Sequence, residues 1–240
     1  MSSSELYEIW VYLQAEPLFW LTLTIGAYLF GDYCYQKANR FPLVNPVAIS
    51  IVVVATVLFT FDIDYERYFS GAKFIHFMLG PATVALAIPI YKKWHLIQQN
   101  AKAICVAVFL GSCFAVVSTY FFAVLLNIDE QLMLTMLPRS VTAPIAMGIS
   151  DVIGGIPSLT AVMTITTGII GATFGAFILD FLKVTSKSAR GFGFGLGSHG
   201  IGTAKAMGTN PEAGVFSAVA MGLSGIVTSL IMPLFMRLIT

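Results

Sequence analysis

The sequence predicts an all-α membrane protein: a multi-span helical bundle with two broken or re-entrant segments and, from a weak self-similarity, an inverted internal repeat of the kind transporters carry. Three observations lead there. Only 10% of the 240 residues are charged and 57% are hydrophobic, whereas soluble domains carry roughly 25% charge. Six uncharged stretches reach or approach spanning length, which is about 20 residues. Two further apolar stretches are interrupted by Pro, Gly and single charges where a plain span would be clean.

In chain order, the polar start 1–15 carries Glu5 and Glu8 but no basic region or small-residue cleavage site, so no cleaved signal peptide is expected. The uncharged stretches are 17–31, 42–61, 74–91, 103–128, 152–179 and 213–236, and the interrupted ones are 132–150 and 191–208. One membrane domain, 1–240, accounts for the length, with half-repeats 17–126 and 127–240. Trp10, Trp20, Trp94, Tyr12, Tyr33, Tyr35 and Tyr91 sit mostly near span ends, where amphipathic rings anchor at the interface.

Basic residues in short loops stay inside. Lys37 and Arg40, then Lys92, Lys93 and Lys102, then Lys183, Lys187 and Arg190 mark three inside loops. Asp62, Asp64 and Glu66, then Asp129 and Glu130, mark outside loops, and the N-terminus with Glu5, Glu8 and Glu16 joins them. The chain therefore leaves 103–128 outside and must be inside by Lys183, a crossing that 152–179 makes alone. Residues 132–155 must start and finish on one side, as a re-entrant hairpin or an even pair of crossings. Backbone freed at Pro138, Pro144, Gly148 and Gly154-Gly155-Ile156-Pro157 has to be buried in protein or line a cavity. Whether 191–208 spans or re-enters is open. It decides the side of Arg237, for which the positive-inside preference favours inside.

An offset of about 116 residues sets the second half on the first. Pro42-Leu43-Val44-Asn45-Pro46-Val47 falls on Pro157-Ser158-Leu159-Thr160-Ala161-Val162, and Phe77-Met78-Leu79-Gly80 on Phe194-Gly195-Leu196-Gly197. Gly80-Pro81-Ala82-Thr83 then becomes the counterpart of Gly197-Ser198-His199-Gly200.

The chemistry sits in the two interrupted stretches. Leu137-Pro138-Arg139-Ser140-Val141-Thr142-Ala143-Pro144 places an arginine and two hydroxyls in an apolar segment. Arg139 either holds a carboxylate bidentately, with Ser140, Thr142 and the free N–H groups of a half-helix N-terminus completing the cradle, or snorkels to the outer interface. Gly195-Leu196-Gly197-Ser198-His199-Gly200-Ile201-Gly202-Thr203-Ala204-Lys205 combines four glycines with Ser198, His199 and Thr203. Its glycines suit close helix packing without any ligand, while His199 can exchange a proton during transport. Asp151 is the candidate for cation coupling, or is solvated at the outer mouth. Gly80, Pro81, Pro138, Pro144, Gly197, Gly200 and Gly202 are the backbone breaks expected to line the site.

Ser198 and His199 are adjacent, and adjacent side chains on a helix diverge, so they are not read as a nucleophile and its base. No HExxH, CxxC or phosphate loop occurs. Neither catalysis nor a metal or other cofactor is expected, and the near-neutral charge gives no footprint for nucleic acid.

Leu79-Gly80-Pro81-Ala82-Thr83-Val84-Ala85-Leu86-Ala87, Pro138-Arg139-Ser140-Val141-Thr142, Gly155-Ile156-Pro157-Ser158-Leu159-Thr160-Ala161-Val162 and Ser198-His199-Gly200-Ile201-Gly202-Thr203-Ala204 together resemble the LrgB/CidB membrane proteins, over nearly the whole chain. The resemblance implies a bacterial inner-membrane protein and two alternative functions. One is transport of small organic acids of the glycolate, glycerate and pyruvate class, as in the related plastid glycolate/glycerate translocator. The other is a holin- or antiholin-like control of murein hydrolases and autolysis, beside a small LrgA/CidA-type membrane partner. The broken helices favour the first reading, with alternating access and a small organic acid between the Arg139 and His199 stretches. Lipid and a second copy of the chain are the remaining partners expected.

Overall fold

The computed structural model describes residues 16–39, 41 and 43–239. The polar segment 1–15 with its outside assignment, Arg40 of the first inside loop, and Pro42 of the repeat lie outside the described residues. Every regular element among them is helical. The chain forms two compact units, one ending at Ala85 and the other beginning at Leu86, a boundary that falls inside the first of the expected half-repeats.

The first unit holds α1 (Pro17–Lys37), α2 (Pro46–Thr60) and α3 (Tyr65–Ala85). Pro17 and Pro46 each open a helix at a position where the missing N–H costs nothing. Asn45 caps α2, its side chain accepting from the Val47 and Ala48 amides at 2.9 and 3.2 Å. Fully buried Trp20 packs edge-on to Tyr68, ring centroids 6.1 Å apart, joining α1 to α3. Sequence reading places Asp62, Asp64, Glu66 and Arg67 in a solvated loop and starts the uncharged stretch at 74. The helix instead begins at Tyr65 and carries Glu66, Arg67 and Lys73 within it. Nor do Gly80 and Pro81 open a segment: α3 runs through both. Neighbouring groups in a bundle can re-satisfy a carbonyl that a proline frees, so Pro need not end a helix.

The second unit holds α4 (Ala87–Lys92), α5 (Trp94–Gln99), α6 (Ala101–Leu125), α7 (Glu130–Met136), α8 (Ala143–Ile153), α9 (Pro157–Phe181), α10 (Lys187–Thr209) and α11 (Pro211–Ile239). Among the described residues, three helices are long and apolar enough to cross a membrane: Ala101–Leu125, Pro157–Phe181 and Pro211–Leu238. They set the frame. Ile104 and Val108 at the start of α6 pack with Val215, Phe216 and Val219 at the start of α11. Val116 further along α6 packs with Met232 near the end of α11, so α6 and α11 run in the same direction. The offset that pairs these two helices in sequence therefore does not describe an inverted repeat, which would set them antiparallel.

The inversion that is present relates two helical hairpins. The first is α7, an irregular turn at 137–142, and α8. Its ends meet: the Ile156 amide donates to Thr135 Oγ1 at 2.9 Å, and the Thr160 hydroxyl donates to the Thr135 carbonyl at 2.9 Å. Thr160 Oγ1 also lies 2.7 Å from Ser150 Oγ, and Thr135, Ser150 and Thr160 are all fully buried. Gly154, left-handed at φ 88°, stops α8. Segment 132–155 is thus a closed re-entrant hairpin based at the Pro157 end of α9.

The second hairpin is α10 itself. His199 at φ 40°, ψ −127° reverses the chain inside it. A straight helix would hold residues 195 and 203 about 12 Å apart, yet Ser217 of α11 touches both, packing on Gly195 and hydrogen-bonding to Thr203 at 3.0 Å. Gly202 lies against the Phe194 carbonyl so tightly that a Cβ could not fit. The ascending arm runs beside the last turns of α9, with Phe194 on Gly175 and Ser198 on Gly171. Residues 191–208 therefore re-enter from the Phe181 end of α9. One consequence overturns an expectation: α11 starts at that end and carries Arg237 to the opposite one, so Arg237 does not share a face with Lys187 and Arg190.

Candidate functional site

The two hairpins enter from opposite ends and their tips meet the same stretch of α9. At the first tip, Leu137, Pro138 and Val141 are buried anchors, and Arg139, Ser140 and Thr142 are half-buried between them. The Arg139 Nη1 donates to Thr167 Oγ1 at 3.3 Å. At the second tip, His199 is buried, its Nε2 lying 2.8 Å from the Thr164 carbonyl. A carbonyl only accepts, so Nε2 carries the proton. The imidazole also covers Gly168, where a Cβ would sit 2.6 Å from the ring. Thr164, Thr167 and Gly168 fall within about one turn of α9, so Arg139 and His199 share one helix face.

The site is polar and under-satisfied. Among the described residues, the Arg139 Nε and the Thr164 hydroxyl are buried without a hydrogen-bond partner. A buried unpaired guanidinium nitrogen is costly, and in native structures such a group calls for an explanation. Thr142 occupies the N-cap of α8 without its side chain capping the helix. The first-turn amides of α8, at the positive end of its dipole, are left to face the tip. An arginine with an unpaired nitrogen beside an uncapped helix N-terminus has the hydrogen-bond donors that an anion with two or more oxygens requires.

The remaining candidates divide. Ser198 packs on Gly171, and Thr203 donates to the His199 carbonyl at 2.8 Å, so both brace the second tip. Pro138 is buried in the first turn, and Pro144 stands in the first turn of α8, starting that helix. Gly197 and Gly200 flank His199 with open space where a Cβ would be, while Gly202 closes the hairpin. Asp151 is exposed near the far end of α8, about 13 Å along the helix from Thr142, and is not brought to the tips. Gly80 and Pro81 belong to the other compact unit. Ser198 and His199 do not pair, the imidazole being bonded to the α9 backbone.

Sequence reasoning found α9 as a span but missed its hydroxyl face. Thr160, Thr164 and Thr167 recur at helical spacing within an apolar span, a hydroxyl stripe that marks the face on which both hairpins rest. It is the one signal that would have joined Arg139 to His199.

The chain matches the LrgB-like family over residues 24–238. It is 37% identical to the Bacillus subtilis protein YxaC over 89% of this chain and 93% of that one. It is 33% identical to the holin-like protein CidB of Staphylococcus aureus, covering 95% of this chain and 98% of the relative. With the antiholin-like protein LrgB of Bacillus mycoides it shares 31% identity, over 93% and 97% of the two chains. No solved structure matches.

Proposed function

The chain belongs to the LrgB-like family, and on that premise we propose that this integral membrane protein is a carrier for small monocarboxylates, working by alternating access. One observation carries the reading: two hairpins entering from opposite ends place Arg139 and His199 on one face of a membrane-length helix. Paired broken helices near mid-depth are where transporters bind substrate, and an arginine at membrane depth is a functional pointer by default.

In this reading the substrate carboxylate takes the unpaired side of the Arg139 guanidinium and the α8 amides. Ser140 and Thr142 complete its shell. His199 has Nε2–H engaged by Thr164, so in its neutral form it offers Nδ1 as an acceptor, which suits the hydroxyl of a 2-hydroxy acid better than a keto oxygen. Two- and three-carbon acids of the glycolate, glycerate and pyruvate class fit such a cradle. Movement of a hairpin tip away from α9 opens the site to its own side, and the other hairpin keeps the opposite side closed. The charge distribution supports placing the Lys187 and Arg190 end in the cytoplasm and Asp129, with the N-terminus, outside. Uptake of labelled glycolate into proteoliposomes is expected to fall at least tenfold in Arg139→Ala and in His199→Ala, a loss of about 1.4 kcal/mol or more of binding or transition-state stabilisation. Undiminished uptake by both variants would remove the site assignment.

The names of the relatives support a second reading and favour it over the carrier. A holin-like CidB and an antiholin-like LrgB fit a membrane regulator of murein hydrolase activity and autolysis, acting with a small LrgA/CidA-type partner. It expects no flux through the purified protein, and a lysis phenotype, not growth on organic acids, as the trait sensitive to Arg139 and His199.

A further inference from the structure

On the face of α9 that carries both hairpins, Thr160, Thr164 and Thr167 treat their hydroxyls differently. A threonine in a helix can return its hydroxyl to a carbonyl of the preceding turn. Thr160 Oγ1 does so, 3.1 Å from the Ile156 carbonyl, and Thr167 Oγ1 does so, 2.8 Å from the Met163 carbonyl. Thr164 does not. Its side chain is wholly buried, and among the described residues its Oγ1 has no hydrogen-bond partner. An unpaired buried hydroxyl is costly, and the Thr160 carbonyl lies four residues back, where a helical threonine finds its acceptor. The free hydroxyl also stands at the site. The Thr164 carbonyl holds His199 Nε2, and Thr167, which holds Arg139, is about 4.5 Å further along the helix axis.

Two buried groups here lack a partner, the Arg139 Nε and the Thr164 Oγ1. A guanidinium nitrogen only donates, whereas a hydroxyl donates and accepts. One small molecule completes both if it carries a carboxylate and a further oxygen on the adjoining carbon. We propose that Thr164 is the specificity-determining residue of the site, its hydroxyl donating to the oxygen on carbon 2 of a short carboxylate held by Arg139. The inference rests on the carrier reading for the presence of the acid, and adds the group that tells a 2-hydroxy or 2-oxo acid from the plain alkanoate of the same length. A 2-hydroxyl accepts from Thr164 and donates its own proton to Nδ1 of neutral His199. A 2-oxo oxygen accepts from Thr164 only. An alkanoate offers neither, and its methyl group would leave the Thr164 hydroxyl buried and unpaired in the complex, which is the source of the rejection.

The test is thermal unfolding of the purified protein in a neutral detergent, titrated at constant ionic strength with glycolate and with acetate, acids of equal length that differ only in the 2-hydroxyl. Wild type is expected to bind glycolate about tenfold more tightly than acetate, the worth of one to two neutral hydrogen bonds. Thr164→Val keeps the branched shape and removes the hydroxyl. It should bind acetate at least as well as wild type and lose the preference for glycolate. Because the ligand-free protein loses no hydrogen bond, this variant alone in detergent should unfold at or above the wild-type temperature. Thr164→Ser should keep the preference, and Thr166→Val, on the exposed side of α9, should match wild type throughout. A preference that survives in Thr164→Val would overturn the proposal. So would a ligand-free Thr164→Val that unfolds at a lower temperature or fails to fold, since the hydroxyl would then be structural, and so would equal binding of the two acids by wild type. These three results leave the carrier reading standing. Stabilisation of wild type by neither acid is a different result, which removes the acid from the site and overturns the proposal and the carrier reading together.

Discussion

A histidine held at φ 40°, ψ −127° occupies backbone space that glycine enters freely and other residues enter at a cost of about 1–3 kcal/mol. Glycines stand on either side of it, at Gly197 and Gly200, yet the turn residue itself is His199. The sequence has kept the imidazole there against strain, which is the strongest residue-level sign that the ring is used. Purified His199→Gly is therefore expected to unfold at a higher temperature than His199→Ala, by about 1 kcal/mol of stability, while both lose the ring. An alanine variant at least as stable would show the turn to be unstrained. A second comparison concerns packing: Gly202→Ala meets the Phe194 carbonyl, whereas Gly200→Ala meets open space. The first should cost about 1–3 kcal/mol and the second little, read from the same thermal transitions. Arg139 and His199 were legible in the sequence because such groups are rare in apolar segments. Thr164 and Thr167 were not, because a threonine in a helix can satisfy its hydroxyl on its own preceding turn, as Thr167 does with Met163 at 2.8 Å, and so looks ordinary.

The parity of charges around 132–155 narrowed the segment to a re-entrant hairpin or an even pair of crossings, since the long span at 152–179 used up the only crossing available, and the structure has the hairpin. What the charges could not supply was the lock at its base. Thr135→Val removes the acceptor of the Ile156 amide and leaves a part-buried donor unpaired, so a loss of about 1 kcal/mol is expected, with Ser140→Val, at the tip, costing less. The second hairpin was left undecided because glycines interrupt the stretch at several positions and the dihedral angles of one non-glycine residue, His199, reverse it, something residue type does not encode. Membrane-impermeant labelling decides this in intact cells. In a background lacking Cys34, Cys105 and Cys113, cysteines placed at Ser188 and Thr209 should label from the same side, and a cysteine at Asp129 from the opposite one. Labelling of positions 188 and 209 from opposite sides would mean that 191–208 spans. The break read at Gly80-Pro81 failed for a related reason: composition marks where a helix can break, and packing determines whether it does.

At the scale of the molecule, three membrane-length helices make the frame, with α9 antiparallel to α6 and α11, and the hairpins close on α9 from its two ends. The sequence offset pairs α6 with a helix that runs parallel to it, and short identities carry no information on direction. In the proposed carrier, the half-buried Arg139 with its unpaired nitrogen is the group exposed alternately to an anion from either end of this frame. The direct test is counterflow of labelled glycolate and pyruvate in tight liposomes holding the purified protein, with and without a small LrgA/CidA-type partner, and with Arg139→Ala as the control. Saturable exchange by the protein alone, abolished in Arg139→Ala and faster for glycolate than for pyruvate, is the predicted result. No exchange, with the partner or without it, would contradict the carrier and leave the regulatory reading in its place.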